Sequence, residues 1–295
     1  MECPFAQRSS LDPWQAVARR QREAMTGDFH NGTYRCRYWV WGDGPPLVCV
    51  PSLTGDAACF TLVQACLSSQ FRCISYDLPD GVTDGADLRT LSHADLVDHV
   101  FRLLDHLGIS RSYIFGASFG STIALAAMHA RPACLPRGIL QAGFAYRPLG
   151  WGERALVWLG RRSYRPLSSL PGLAFVLHRS HAGPFGGSSS PLWEFFQQRY
   201  LTPPIAAICH RAWLMHQLDL RPILPEIHQP VLVIGGDADP LVRRVAEEEL
   251  VRGLPHGRRV ELHHCGHHPL FTHAEVLAEL VRQFLTPPTT EERRC

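Results

Sequence analysis

The chain has 295 residues, of which 45% are hydrophobic and 19% are charged, and its formal net charge is +2. This is an ordinary globular composition, and the length allows one large domain or one domain with a sizeable insertion. The near-neutral charge argues against nucleic acid as a partner. No stretch approaches the roughly 18 consecutive apolar residues that a membrane-spanning helix needs, so we expect no stable membrane insertion.

The cysteines and the N-terminal residues bear on the cellular compartment. The ten cysteines are scattered without a CxxC pair, and all 29 basic residues are arginine. Unclustered cysteines in a chain of this size are typical of a reducing compartment rather than of a disulfide scaffold. Residues 1–24 are polar and lack the apolar run of a signal peptide. We therefore expect a cytoplasmic protein.

Short strand-like runs alternate with helical patterns through the first half of the chain. We treat residues 1–32 as an N-terminal extension. After it, the sequence predicts strands at 34–41, 47–50, 71–76, 112–115 and 138–141, with helices at 60–67, 92–107 and 119–129. Ser92 can cap the second of these helices, and Gly108 can end it. This alternation is typical of βα units on a mostly parallel sheet.

The pattern changes at residues 145–220, where tryptophans and prolines are frequent and no strand is evident. We interpret this segment as a helical cap inserted into the domain. The βα rhythm resumes with strands at 230–234 and 259–263 and helices at 242–251 and 274–285. The predicted fold is therefore α/β, with a mostly parallel central sheet flanked by helices. Its core comprises residues 33–144 and 221–286, and residues 287–295 form a polar, flexible tail.

The residues Gly116-Ala117-Ser118-Phe119-Gly120 match the G-x-S-x-G nucleophile elbow. In this motif a serine lies on a sharp turn between a strand and a helix, where its backbone is strained and flanking side chains would clash. The predicted strand before the motif and the small-residue helix after it supply the context that the motif requires. We predict that Ser118 is a nucleophile.

A serine hydroxyl needs a base and an orienting acid, and candidates for both follow the last two predicted strands. Asp237 and Asp239 follow the first of these strands, and His267 and His268 follow the second. The carboxyl ends of parallel strands meet at one sheet edge, so both loops are expected at the site. Asp237 is the alternative acid, or it bonds its own loop. His268 is the alternative base, or it packs beside His267. The histidine run at 263–268 is a separate candidate for a metal cluster.

Over roughly residues 33–286 the chain resembles the α/β-hydrolase superfamily, in particular its esterase-like group with an inserted cap. The resemblance rests on the elbow, on residues 234–242, and on Gly266-His267 before the last helix. It implies Asp239 as the acid and His267 as the base for Ser118, and it implies neither a metal nor a cofactor. A serine at the elbow disfavours the dehalogenase and epoxide hydrolase branches, which carry aspartate there.

The resemblance also implies an oxyanion hole made of two backbone N–H groups. One belongs to Phe119, directly after the candidate nucleophile. The other belongs to Leu53, in the loop after the strand at 47–50. The family usually has His-Gly where this chain has Pro51-Ser52. We expect a different loop geometry with the backbone donor retained.

The expected reaction is hydrolysis of a small or apolar carboxylic ester through an acyl-enzyme, with a small-molecule acyl compound as the partner. C–C bond hydrolases, thioesterases, lactonases, aminopeptidases and acyltransferases use the same parts. A non-catalytic ligand-binding member of the fold is the alternative from another class. Aromatic residues of the cap either line an apolar pocket or form the core of the cap itself. The oligomeric state is left open.

Overall fold

The computed structural model describes residues 8–286, so the predicted tail at 287–295 lies outside it. Its central feature is an eight-stranded sheet. The strands are β1 (Met25–His30), β2 (Arg35–Trp41), β3 (Pro46–Val50), β4 (Arg72–Tyr76), β5 (Tyr113–Ala117), β6 (Gly138–Gln141), β7 (Val231–Gly236) and β8 (Gly257–Leu262). Their order is β1-β2-β4-β3-β5-β6-β7-β8, and β2 is antiparallel to both of its neighbours, whereas β3 to β8 are parallel. The predicted α/β class with a mostly parallel sheet is confirmed.

Helices lie on both faces of the sheet and in the segment between its strands β6 and β7. They are α1 (Pro13–Glu23), α2 (Thr61–Leu67), α3 (His93–His106), α4 (Phe119–Ala130), α5 (Trp151–Gly160), α6 (Leu173–His181), α7 (Pro191–Leu201), α8 (Ile205–Gln217), α9 (Arg244–Gly253), α10 (Pro269–Thr272) and α11 (Ala274–Leu285). Val48 and Val50 of β3 join an apolar cluster that includes residues of α3, α4 and α9, whereas Leu47 and Cys49 join the cluster with α1, α2 and α11. A strand buried on both faces explains why β3 is apolar without interruption.

The sheet begins earlier than the predicted core. Strand β1 pairs antiparallel with β2, although it lies in the segment that the sequence analysis assigned to an N-terminal extension. Helix α1 precedes it and is capped by the Asp12 carboxylate, which accepts hydrogen bonds from the N–H groups of Trp14 and Gln15. Arg20 of α1 is buried and donates to the hydroxyls of Thr61 and Ser75. This segment is therefore part of the packed domain.

Between β6 and β7 the described chain contains helices α5 to α8 and no strand. An isolated bridge between Tyr146 and Asp219 brings the two ends of this region together. Trp14 of α1 packs edge-to-face on Phe195 of α7, with 5.6 Å between ring centroids, so the region also contacts the N-terminal helix. Within residues 8–286, no helix is both long enough and apolar enough to cross a membrane.

Candidate functional site

Ser118 lies at the sharp turn between β5 and α4, as the elbow motif predicts. Its backbone has φ 50° and ψ −114°, an uncommon conformation for a residue other than glycine. A Cβ on Gly116 would lie 2.4 Å from the Gly120 carbonyl oxygen, and one on Gly120 would lie 2.3 Å from the Val50 carbonyl oxygen. Because both obstacles are backbone atoms, the two glycines allow the turn to close tightly.

Replacing Gly116 with alanine is expected to destabilise the fold by about 1–3 kcal/mol, because the added methyl group would overlap backbone that cannot move aside. Gly152 is the matched control, since a Cβ there would meet nothing within 4 Å. Its replacement by alanine in helix α5 is expected to be neutral or slightly stabilising. Urea unfolding of the two variants measures the difference, and equal midpoints would contradict this steric account.

The structure brings Ser118, His267 and Asp239 together at the carboxyl ends of β5, β7 and β8. The Oγ atom of Ser118 lies 3.0 Å from Nε2 of His267, and Nδ1 of His267 lies 2.7 Å from Oδ2 of Asp239. When Nδ1 carries the imidazole proton and donates to Asp239, Nε2 is left to accept a hydrogen bond from the Ser118 hydroxyl. The arrangement can therefore remove a proton from the serine.

The Asp239 carboxylate is held in its ionised form. Burial of the carboxyl opposes ionisation, but hydrogen bonds from His267 and from the backbone N–H groups of Leu241 and Val242 outweigh it and lower the pKa of Asp239. The side-chain amide of Gln141 donates to the backbone carbonyl of His267 at 3.1 Å. The imidazole is thus fixed through its ring and through its main chain.

The structure separates the alternatives that the sequence left open. Asp237 accepts hydrogen bonds from the N–H groups of His264 and Cys265, so it orders the loop before His267 and does not contact that ring in the structure. His268 packs beside His267, with 5.0 Å between ring centroids, and lies among aromatic side chains. Across the part of the chain that the structure covers, no group of His, Cys, Asp and Glu residues has a metal-binding arrangement.

The loop that carries Leu53 is anchored by a buried arginine of helix α8. The Arg211 guanidinium donates to the carbonyl oxygens of Leu53 and Pro79, and its burial lowers the pKa of Arg211 to about 10. Gly55 passes close to the same guanidinium with φ +76°, and a Cβ there would lie 2.6 Å from it. In residues 8–286, the N–H groups of Leu53 and Phe119 donate to no protein acceptor. Neither residue lines the small cavity at Ser118, where Ser52 and Thr54 represent this loop.

Two cavities meet at this site. The one at Ser118 has a volume of about 20 Å³, enough for one water molecule, and Phe196, Tyr200 and Phe271 contribute to its wall. A second cavity of about 540 Å³ shares Thr54 and Arg199 with the first. Several aspartates and arginines line it, so it is more polar than the first.

Arg199 of helix α7 lies at the junction of the two cavities and forms a 3.5 Å ion pair with Asp56. The sequence analysis identified neither Arg199 nor Arg211. A signal for Arg211 was present, because it shares one face of α8 with the buried Ala207 and Met215. A charged residue on such a face requires partners, and here the partners are loop carbonyls that sequence spacing does not identify.

Comparison with known proteins places this geometry in a family. The model described as the alpha/beta hydrolase family matches residues 47–280. A 2-hydroxy-6-oxononadienedioate/2-hydroxy-6-oxononatrienedioate hydrolase of Paraburkholderia phymatum is 27% identical over 246 residues, covering 80% of this chain and 83% of the relative. The 3-oxoadipate enol-lactonase 1 of Acinetobacter baylyi is 26% identical over 206 residues, covering 68% and 73% of the two chains.

Solved structures share the fold at lower sequence identity. A hydrolase from Pseudomonas aeruginosa has a TM-score of 0.79 at 19% identity, covering 90% of this chain and 98% of that one. An enol-lactonase from Burkholderia xenovorans has a TM-score of 0.70 at 21% identity, covering 88% and 100%. The matching family model spans most of the chain, from β3 into α11. The chain therefore belongs to the α/β-hydrolase family, and it is a hydrolase.

Proposed function

We propose that this hydrolase cleaves a small or apolar carboxylic ester, with Ser118 as nucleophile, His267 as general base and acid, and Asp239 as the residue that orients the imidazole. The observation that carries the proposal is the continuous hydrogen-bonded chain from Ser118 Oγ through the His267 ring to Asp239, at 3.0 and 2.7 Å. Such a chain converts an inert hydroxyl into a nucleophile.

The proposed reaction has two halves. Ser118 Oγ attacks the ester carbonyl carbon while its proton passes to His267 Nε2, and the N–H groups of Leu53 and Phe119 stabilise the oxyanion. The bond to the leaving alkoxide breaks, and the alkoxide takes the proton from His267. Water then attacks the acyl-enzyme and gives a proton to His267. Release of the carboxylic acid returns that proton to Ser118.

The residues that line the two cavities suggest which part of the substrate binds in each. The cavity at Ser118 is narrow and partly aromatic, which favours a short apolar acyl group over a long one. Because it holds only about one water molecule, its wall must move to admit any acyl group. The larger cavity is lined by charged residues and suits a polar leaving group. Thr54 and Arg199 line both cavities, so a scissile ester would lie near these two side chains.

A second candidate reaction is favoured by the position of Arg199. A guanidinium between the two cavities suits a substrate that carries a carboxylate. The relatives that act on dioate and enol-lactone compounds, as their names state, make C–C bond or lactone hydrolysis the alternative on the same three residues. The cytoplasmic location expected from the sequence stays a prediction.

A substrate panel separates these reactions. Purified protein is assayed with p-nitrophenyl acetate, butyrate and octanoate, with an enol-lactone, and with a 2-hydroxy-6-oxo dienoate. The proposal predicts fastest turnover of the short esters, together with a burst of p-nitrophenol equal to the enzyme concentration if deacylation is slower than acylation. Turnover of the dienoate or the enol-lactone, with none of the esters, would establish the alternative and reject ester hydrolysis.

Arg211 is expected to act as a positioning residue for the Leu53 loop. Replacing it with lysine keeps the charge but removes the forked donors, so we expect kcat to fall by about tenfold to a hundredfold, with a smaller change in KM. Arg165, which is exposed on the cap, is the control for the same replacement. The kinetics of both variants, measured with folding checked by circular dichroism, test the idea. A rise in KM alone would contradict a role in oxyanion stabilisation.

A further inference from the structure

The exposed apolar side chains of this protein are concentrated in one part of the cap. Within residues 8–286, nine of the fourteen exposed large hydrophobic residues fall between positions 146 and 181, which we call the outer cap segment. They are Tyr146, Trp151, Leu156, Trp158, Leu159, Tyr164, Leu170, Phe175 and Val176. Soluble monomers rarely collect exposed apolar residues in this way, and such surfaces usually mark an interaction site.

Helix α5 carries much of this apolar surface. Trp151, Ala155, Trp158 and Leu159 follow the i, i+4, i+7, i+8 spacing that puts side chains on one face of a helix. We call these four residues the α5 row. Trp151 is 88% exposed and Leu159 is 66% exposed, whereas a Cβ on Gly160 would lie 2.4 Å from the Cys209 sulfur of α8. The helix therefore packs by its other side, and the α5 row faces solvent.

The outer cap segment is also strongly basic. It contains six arginines and a single acidic residue, Glu153, in a chain whose overall net charge is only +2. Among its described side chains, the one ion pair joins Arg147 to Glu153 at 3.6 Å. The guanidinium of Arg162 lies 4.5 Å from the Trp158 ring centroid, and that of Arg179 lies 5.9 Å from the Phe175 ring centroid. Tryptophan beside arginine on a surface helix is typical of segments that lie in a lipid interface.

The positive charge of the outer cap segment distinguishes between two possible partners, a second copy of the chain and a lipid surface. A second copy of the chain would bring the same basic surface against itself across a two-fold axis, and like charges facing one another are unfavourable. An anionic lipid surface instead supplies both an apolar phase for the tryptophans and negative charge for the arginines. We propose that the outer cap segment docks on anionic lipid surfaces, with the α5 row entering the interface.

Docking of this kind attaches the protein to a surface without spanning the bilayer. Helix α5 has ten residues and is therefore about 15 Å long, so it lies along the interface. The same cap contributes Phe196 and Arg199 of α7 to the cavity at Ser118. A lipid surface bound at the outer cap segment would thus contact the region that covers the proposed reaction site. The inference itself rests on surface composition and does not require the proposed reaction.

The test is vesicle co-sedimentation of the full chain. Vesicles of phosphatidylcholine alone are compared with vesicles of phosphatidylcholine and phosphatidylglycerol in equal amounts, at low and high salt. We expect binding to the anionic vesicles, little binding to the neutral ones, and weaker binding at high salt. The double variant Trp151→Ser, Trp158→Ser is expected to lose about tenfold or more in affinity. Arg154→Gln is expected to lose about fivefold.

Val245→Ser is the matched control, because Val245 is 71% exposed on α9 and lies outside the cap. Its vesicle binding is expected to equal that of the wild type. Absence of wild-type binding to anionic vesicles, or wild-type affinity in the double tryptophan variant, would overturn the proposal. A dimer that the same variant abolishes, seen by analytical ultracentrifugation without vesicle binding, would assign the surface to a second copy instead. Vesicle co-sedimentation measures binding and needs no catalytic turnover. Its result therefore does not depend on whether the protein hydrolyses esters.

Discussion

Replacing Ser118 with alanine is expected to lower kcat for a short ester by about a millionfold, with little change in KM. The substitution removes the only atom that the proposal allows to bond to the acyl carbon, while His267 and Asp239 keep their positions. The remaining rate would come from substrate binding and the oxyanion donors alone. Steady-state kinetics on the purified variant measure the loss.

Ser121 provides a matched control for this experiment. It lies on helix α4, three residues after Ser118, its side chain is fully buried, and its hydroxyl has no hydrogen-bond partner within the described residues. Ser121→Ala is therefore expected to leave kcat within a few-fold of the wild-type value. If Ser118→Ala retained more than about a tenth of the wild-type rate while remaining folded, Ser118 could not be the nucleophile.

Replacing Asp239 with asparagine is expected to reduce kcat by about ten-thousandfold. The asparagine keeps the shape of the side chain but is neutral, so it no longer favours a proton on His267 Nδ1 or stabilises the charged imidazolium. A near-normal rate would contradict the assignment. Measurement of kcat and KM across pH also tests whether the loss of kcat in Asp239→Asn arises from a change in His267, the proposed base.

Asp237→Asn is the corresponding control, since Asp237 lies two residues earlier in the same loop and accepts from the backbone of His264 and Cys265. Its loss weakens the loop that precedes His267, so a moderate effect of about tenfold or less on kcat is expected. A larger loss of kcat in Asp237→Asn than in Asp239→Asn would mean that the two carboxylates have exchanged roles.

Much of the central sheet could be predicted because its strands carry strong local signals. Strand β6 and helix α11 begin and end at the predicted residues, and the other strands of the predicted core agree to within two residues at each end. Buried parallel strands are short apolar runs bounded by turns, and the helices between them have one apolar face. The elbow was visible for the same reason, since steric limits on a tight turn restrict which residues are allowed at each position.

The N-terminal elements were missed because their stability comes from tertiary contacts. Strand β1 reads Met-Thr-Gly-Asp-Phe-His, which lacks a clear alternation of apolar and polar residues, and it forms by pairing with β2. Its neighbour α1 has only three buried residues, one of which is Arg20. Neither sequence has the apolar pattern of a core strand or helix. Pairing with β2 and tertiary packing therefore determine that these two elements form.

The parts of the site that depend on side chains far apart in sequence were also beyond prediction. Arg211 is 158 positions from Leu53, yet its guanidinium holds the Leu53 carbonyl. Gln141 reaches the His267 carbonyl across 126 positions. Neither residue belongs to a local motif, and only the packing of helix α8 and the end of β6 brings each to its partner.

Labelling with a fluorophosphonate probe, followed by mass spectrometry of the labelled peptide, tests whether Ser118 is an activated nucleophile. Wild-type protein, Ser118→Ala, Ser121→Ala and heat-unfolded wild type are compared under the same conditions. We expect one label on Ser118 in the wild type and in Ser121→Ala, and none in Ser118→Ala or in the unfolded chain. Folded wild-type protein that remains unlabelled, or that carries the label on another residue, would contradict an activated serine at the elbow.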